Sequence, residues 1–128
     1  MAEPLFRKLD CLMLKAADLD AGIAFYTDAL GHRVIWRSQV AVGLAMPDTD
    51  AELVLHTQLG PEANLLVADA DDAFDRFVAA GGREIRRPFD IPIGRCAVVM
   101  DPQGNVLVML DQSKGKLDAD GQLIVTAP

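Results

Sequence analysis

The chain has 128 residues, a length that supports one compact domain with a substantial core. Its net charge of −7 repels phosphate backbones and anionic lipid headgroups, which argues against binding to nucleic acid or to a membrane surface. No apolar stretch approaches the length of a membrane span, and the opening residues MAEPLFRKLD lack the apolar run of a signal peptide. The sequence therefore predicts a single domain over residues 1–128 and a cytoplasmic location.

The first part of the chain predicts the element order β, α, β, β, β. Residues 9–16 form an apolar strand, and Asp18 then caps a helix whose apolar positions 19, 23, 26 and 30 share one face. Gly31 ends that helix. Residues 32–38, 40–46 and 52–57 then read as three strands separated by turn residues.

The second part predicts the same order. Residues 62–67 form a strand, Asp69 caps a helix with its apolar face at 70, 74, 77 and 81, and residues 83–87 form the next strand. A proline-containing excursion, RPFDIPIG, separates that strand from two more at 95–100 and 106–111, which the turn DPQGN connects. In the tail, Asp120 and Gly121 either turn a small hairpin with a strand at 123–126 or belong to an arm that packs on a partner subunit.

The chain contains an internal duplication. Residues 18–34 align with residues 69–85, so that Asp18 matches Asp69 and Gly31 matches Gly82. Any functional site is therefore expected to be built from both copies.

Three motifs carry a family resemblance: the DLD…FY…LG string from Asp18 to Gly31, the V-x-D-x-D…AAG string from Val67 to Gly81, and the turn DPQGN at 101–105. In this order and spacing the chain resembles the vicinal oxygen chelate superfamily, which includes glyoxalase, bleomycin-resistance proteins and extradiol dioxygenases. The resemblance implies an α+β fold of tandem βαβββ modules, forming a curved mixed sheet with a central cup. Module one spans about residues 8–57, module two about 62–112, and the tail 113–128. Homodimers are frequent in this superfamily, and we expect one here.

The resemblance also implies where a metal site would lie. The metal-using members carry a ligand seven residues before each capping aspartate, which falls here on Cys11 and Glu62. They carry another seven residues after the aspartate of the Asp-Pro turn, which falls on Val108, and its counterpart in the first copy is Val54. Valine has no donor atom, so the sequence predicts no family-type metal, and only Cys11 and Glu62 remain as candidate ligands.

The candidate ligand-binding residues are those that strand alternation and the resemblance direct towards the cup. They are Cys11, Met13, Trp36, Val54, His56, Glu62, Asn64 and Val108. Two of them, His56 and Glu62, are also candidates for a catalytic base. Each has a simpler explanation, since His56 can be a hydrogen-bonded residue at a strand end and Glu62 a solvated charge at a strand start.

Three functions remain open on these observations, and the least specific of them is a regulatory or interaction module whose cup is vestigial. The first is a protein that binds a small, partly apolar organic molecule in the cup without a cofactor. The alternative is a metal-dependent lyase, isomerase or dioxygenase with an atypical site at Cys11, Glu62 and His56, which would require a divalent metal. The sequence does not determine whether any reaction is catalysed, or which molecule is bound.

Overall fold

The structure, a computed structural model, describes residues 3–117 and 123–124. Two βαβββ units follow one another along the chain. The first unit consists of β1 (Lys8–Lys15), α1 (Leu19–Ala24), β2 (Val34–Arg37), β3 (Ala41–Met46) and β4 (Thr49–His56). The second consists of β5 (Glu62–Leu66), α2 (Ala70–Ala79), β6 (Arg83–Ile91), β7 (Gly94–Met100) and β8 (Val106–Leu110). Two short strands, β9 (Lys116–Leu117) and β10 (Leu123–Ile124), complete the described elements.

The strands of both units form one curved mixed sheet in the order β2-β3-β4-β1-β5-β8-β7-β6. Strands β1 and β5 are antiparallel and join the units, while β1 runs parallel to β4 and β5 runs parallel to β8. The predicted α+β fold with its repeated βαβββ order is confirmed.

The capping aspartates act as predicted. The Asp18 carboxylate accepts a hydrogen bond from the Ala21 amide at 3.1 Å, and the Asp69 carboxylate accepts one from the Asp72 amide at 2.9 Å.

The first helix differs from its prediction because residues Phe25–Ala29 form a wider, π-helical turn. The hydroxyl of Thr27 donates to the Ile23 carbonyl at 2.7 Å, and so competes for the acceptor that an α-helix reserves for the Thr27 amide.

The two faces of the sheet have different partners. Buried residues on one face pack under the helices, with Leu44 and Leu55 below α1 and Val99 and Met109 below α2. Since side chains alternate along a strand, the residues next to these point to the other face, as Val54 does beside Leu55. That second face carries no helix and forms the concave side of the sheet.

Asp111 ties the end of β8 to two other elements, although its side chain is only 2% exposed. Its carboxylate accepts from the amide of Ala70 at 2.8 Å, from the amide of Arg95 at 2.9 Å, and from the amide and hydroxyl of Ser113 at 3.2 and 2.8 Å. Burial alone would raise the pKa of Asp111, but these hydrogen bonds outweigh it and the pKa is lowered. The carboxylate thus holds the start of α2 and the start of β7 together.

The prediction of an irregular excursion at RPFDIPIG is wrong for its first half. Strand β6 continues to Ile91, and the register of its pairing with β7 shifts twice, once on each side of Arg86. Pro88 is accommodated because β6 is an edge strand and pairs only with β7. A residue without an amide donor is tolerated there, since no second strand needs its hydrogen bond. In the tail, β9 and β10 pair in antiparallel fashion, while the predicted turn at Asp120 and Gly121 lies outside the described residues. Neither helix in the described part of the chain is long and apolar enough to cross a bilayer.

Candidate functional site

A cavity of about 380 Å³ opens on the concave face of the sheet, between the two units. We call it the cup. Its apolar wall consists of Met13, Ile35, Val54, Ile91, Ile93 and Leu110, together with Cys11 and Trp36. Its polar residues are Lys8, Asp10, Asp50, Glu52, Asn64, Gln112 and Lys116.

A β-bulge in β1 determines which residues of that strand reach the cup. In the pairing with β5, Leu9 lies opposite Leu65 and Cys11 opposite Asn64, so Asp10 is an extra residue without a partner. The extra residue reverses the alternation of side chains between the two faces of the sheet. As a result, Lys8 and Asp10, before the bulge, line the same cavity as Cys11 and Met13, after it. Asp10 is thereby brought into the cup next to Cys11, although regular alternation would put it on the opposite face.

Strand β4 contributes Glu52 and Val54, which lie two residues apart on the same face. Cys11 lies opposite Glu52, and Met13 opposite Val54, in the parallel pairing of β1 with β4. The Glu52 carboxylate therefore lies beside the bulge that carries Asp10.

Trp36 is fixed by a hydrogen bond and by a glycine on the neighbouring strand. Its indole Nε1 donates to Oε1 of Glu52 at 2.5 Å. Gly43 is paired with Trp36 across β2 and β3, and a Cβ atom at Gly43 would overlap the indole atoms Nε1, Cε2 and Cδ1. The ring thus lies over the bare backbone of Gly43, which leaves it in one defined position at the wall of the cup.

The two half-buried carboxylates are held in a poorly solvated position. Burial raises the pKa of Glu52, and the nearby charge of Asp10 raises it further, while the hydrogen bond from Trp36 acts in the opposite direction. Burial also raises the pKa of Asp10, although Lys8 and Lys116 counteract it. A third carboxylate, Asp50, forms an ion pair with Lys8 at 2.6 Å near the exposed rim. Within residues 3–116, whose side chains are described, Asp10 and Glu52 form no ion pair.

Asn64 presents an unused donor to the cup. The residue is only 6% exposed, and among the described residues its Nδ2 has no hydrogen-bond partner other than a weak contact to the Cys11 thiol, which lowers the pKa of that thiol. The neighbouring Cys11 does not supply a charge, because burial and the surrounding carboxylates raise the pKa of its thiol to about 12. A buried amide donor is costly without an acceptor, so Asn64 is suited to donate to a molecule in the cup.

Five of the eight predicted ligand-binding residues line the cup: Cys11, Met13, Trp36, Val54 and Asn64. The other three lie on the same strands but outside that lining. Val108 is buried with Cys96 and Leu110, and Glu62 lies opposite Met13 at the start of β5. Whether any of these residues binds a ligand stays a prediction.

His56 is engaged with the backbone that follows it. Its Nδ1 accepts hydrogen bonds from the amides of Gln58 and Leu59, both at 3.0 Å. Burial lowers the pKa of His56, although the charge of Glu62 acts in the opposite direction. The Nδ1 atom is therefore committed to the turn after β4, which leaves only Nε2 for chemistry.

The positions that the resemblance implied for a metal lie on the four central strands. Cys11 is on β1, Val54 on β4, Glu62 on β5 and Val108 on β8. The side chains do not fit the metal, because the two valines have no donor atom and only Cys11 and Glu62 remain of the four positions. Among the described residues, no three His, Cys, Asp or Glu side chains are grouped so that they could hold a metal ion.

Sequence reasoning missed the three carboxylates of the cup, Asp10, Asp50 and Glu52. Glu52 could have been found, since it precedes Val54 by two residues and alternation places both on one face. Asp10 could not, because nothing in LDCLMLK identifies which residue is the bulge. Ile91 and Ile93 were hidden in the segment predicted to be irregular.

Comparison with known proteins agrees with this architecture. The family model described as Glyoxalase/Bleomycin resistance protein/Dioxygenase superfamily matches residues 8–109. The chain therefore belongs to the glyoxalase/bleomycin resistance protein/dioxygenase superfamily. A search of the curated proteins found no match.

Several solved structures share the fold. Methylmalonyl-CoA epimerase from Mycobacterium tuberculosis is 21% identical with a TM-score of 0.73, over 87% of this chain and 91% of that one. Methylmalonyl-CoA epimerase from Streptomyces coelicolor, in complex with 2-nitronate-propionyl-CoA, is 17% identical with a TM-score of 0.70, over 84% and 99%. A variant of homoprotocatechuate 2,3-dioxygenase from B. fuscum is 26% identical with a TM-score of 0.63 over 85% of this chain, which spans 33% of that longer chain.

Proposed function

We propose that this protein binds a small organic molecule in the cup and does so without a family-type metal. The observation that carries the proposal is the Nδ2 of Asn64, a buried donor without an oxygen or nitrogen acceptor among the described residues, at the wall of a cavity that has both apolar and charged sides. A volume of about 380 Å³, an apolar wall and a few convergent polar groups are the usual features of a small-molecule site. Trp36 adds a flat surface, held in place by Glu52, on which a planar group can stack.

A metal-dependent lyase, isomerase or dioxygenase is the competing proposal, and its three candidate residues are poorly suited to it. Cys11 alone of the three lines the cup, while His56 and Glu62 lie outside its lining. His56 also uses Nδ1 for the backbone, and Val54 and Val108 replace two donors. We therefore base the proposed function on ligand binding alone.

A thermal-shift screen tests this proposal. Protein treated with a chelator is heated with a library of small organic compounds, and in parallel with Zn²⁺, Ni²⁺, Mn²⁺ and Fe²⁺ alone. We expect stabilisation by some compounds in the presence of the chelator, because a ligand that binds only the folded state raises the melting temperature. Stabilisation by the divalent ions alone would contradict the proposal and favour the metal-dependent alternative.

The proposal includes a cytoplasmic homodimer. Cys11 and Cys96 are both buried free thiols, as is usual in a reducing compartment. Several large apolar side chains are exposed on the single chain, among them Leu9, Leu12, Phe25 and Leu59. Light scattering coupled to size exclusion measures the mass directly, and a mass of one chain would contradict the homodimer.

A further inference from the structure

We infer that the cup selects an organic cation that also carries an oxygen acceptor: a protonated amine or amidine lies against Trp36 and the carboxylates of Glu52 and Asp10, while the acceptor takes the hydrogen bond of Asn64 Nδ2. The inference rests on the proposed function and names the chemical class of its ligand.

The charges of the lining favour a cation. Three carboxylates line the cup against two lysine ammonium groups, and one of these, Lys8, is already paired with Asp50. Lys116 is exposed at the edge of the cavity and is the remaining positive charge. Glu52 has only the neutral indole of Trp36 as a hydrogen-bond partner, so its negative charge is not compensated by an ion pair among residues 3–116.

The same corner of the cup carries the aromatic ring. Trp36 lies over Gly43 and donates its Nε1 to Glu52, so the indole and the carboxylate are fixed together. A cation beside them is attracted both by the carboxylate and by the ring. An anionic ligand in this corner would instead be repelled by Glu52 and Asp10.

Asn64 is the reason for the oxygen acceptor in the proposed ligand. Asn64 lies on β5 opposite Cys11 of β1, beside the bulge, and among the described residues its Nδ2 has no oxygen or nitrogen acceptor. A carbonyl or ether oxygen of the ligand satisfies it. The ligand class is therefore one molecule with a positive group and an oxygen acceptor, connected by an apolar or planar body that fits the wall of Met13, Val54 and Leu110.

Three matched probes test the positive group and the oxygen acceptor of the ligand separately. The first is 3-(aminomethyl)benzamide, which carries both an ammonium group and a carbonyl oxygen. The second is 3-carboxybenzamide, which has the same shape and acceptor with a negative charge. The third is 3-methylbenzylamine, which keeps the ammonium group and lacks the acceptor. Binding is measured by calorimetry at neutral pH and constant salt.

We expect wild-type protein to bind the first probe about tenfold tighter than either of the others. Glu52→Gln keeps an oxygen for Trp36 and removes the charge, so it should abolish the preference for the first probe over the carboxylate. Asn64→Leu removes the amide donor, so it should abolish the preference for the first probe over 3-methylbenzylamine, which lacks the acceptor. Glu84→Gln, the same substitution at an exposed position of β6 outside the cup, should change neither preference.

Three results overturn the inference. Tighter binding of the carboxylate than of the ammonium probe would do so, as would preferences that survive both Glu52→Gln and Asn64→Leu. If no probe binds while uncharged or anionic library compounds stabilise the chelated protein, the ligand class is wrong but the proposed function stands. If no organic compound stabilises the protein at all, the proposed function fails as well. Asp10→Asn is the second charge-removing variant should Glu52→Gln fold poorly.

Discussion

Two carboxylates and one amide in the cup are arranged in a way that disfavours folding. Glu52 and Asp10 have raised pKa values because they are partly buried, and Asn64 Nδ2 has no oxygen or nitrogen acceptor among the described residues. Such groups reduce stability unless something else satisfies them, which is typical of residues kept for a ligand.

Glu52→Gln should therefore stabilise the free protein at neutral pH. A carboxyl group whose pKa is raised by folding binds more protons in the folded state, so its ionised form costs stability above the folded pKa and this cost disappears as the pH falls below the unfolded value. The amide avoids that cost, and its oxygen can still accept from Trp36. We expect a gain of about 0.5–2 kcal/mol in the free energy of unfolding, measured by urea denaturation at neutral pH.

The gain at Glu52 should shrink as the pH is lowered, because the wild-type carboxyl becomes protonated first in the folded state. Glu84→Gln is the matched control, and its effect should stay within about 0.5 kcal/mol. A less stable Glu52→Gln variant at neutral pH would show that the charge of Glu52 supports the fold.

Asn64→Leu should likewise stabilise the ligand-free protein. Leucine has a similar size and removes a buried donor whose unsatisfied state costs about 1–3 kcal/mol. The variant should melt at a higher temperature than wild type without ligand and show a smaller shift with the strongest compound of the screen. A large loss of stability would indicate that the Asn64 amide is satisfied in solution.

At the scale of the elements, Gly43 on β3 determines the position of Trp36 on β2. A methyl group at residue 43 overlaps the indole, so Gly43→Ala should displace the ring and break its hydrogen bond to Glu52. Trp36 is the only tryptophan in the chain, and its fluorescence reports on this position alone. We expect a red-shifted emission and easier quenching by acrylamide, whereas an unchanged spectrum would contradict the packing of the ring on Gly43.

Asp111 is the corresponding anchor for α2, β7 and the end of β8. Asp111→Asn replaces one acceptor oxygen by a donor that faces backbone amides, and should cost about 2–4 kcal/mol of unfolding free energy. Because folding lowers the pKa of Asp111, its stabilisation is complete above the unfolded pKa and is lost as the pH falls through the folded pKa. Urea denaturation of wild type and variant as a function of pH should therefore show the two stabilities converging in acid, and parallel curves would contradict this role.

The elements themselves show what a sequence can and cannot predict. Asp18 and Asp69 were predicted as caps because an N-cap depends on residues within one turn. The bulge at Asp10 and the continuation of β6 past Pro88 depend on the partner strand, which local pattern does not reveal. The same limit explains why Val54 and Trp36 were assigned to the cup while Asp10 was missed.

At the scale of the whole molecule, the duplicated units meet along β1 and β5 and enclose a cup with uneven chemistry. The acidic groups and Trp36 come from the first unit, whereas Asn64, Ile91 and Ile93 come from the second. The family positions for metal ligands lie on these same strands, and two of them are valine.

A crystal structure of chelator-treated protein soaked with the strongest stabiliser of the screen tests this account most directly. We expect density for the compound in the cup, in contact with Trp36 and within hydrogen-bond distance of Asn64 Nδ2, and no anomalous signal from a metal near Cys11 and Glu62. A compound bound elsewhere, or a metal ion held by Cys11, Glu62 and His56, would contradict the central claim.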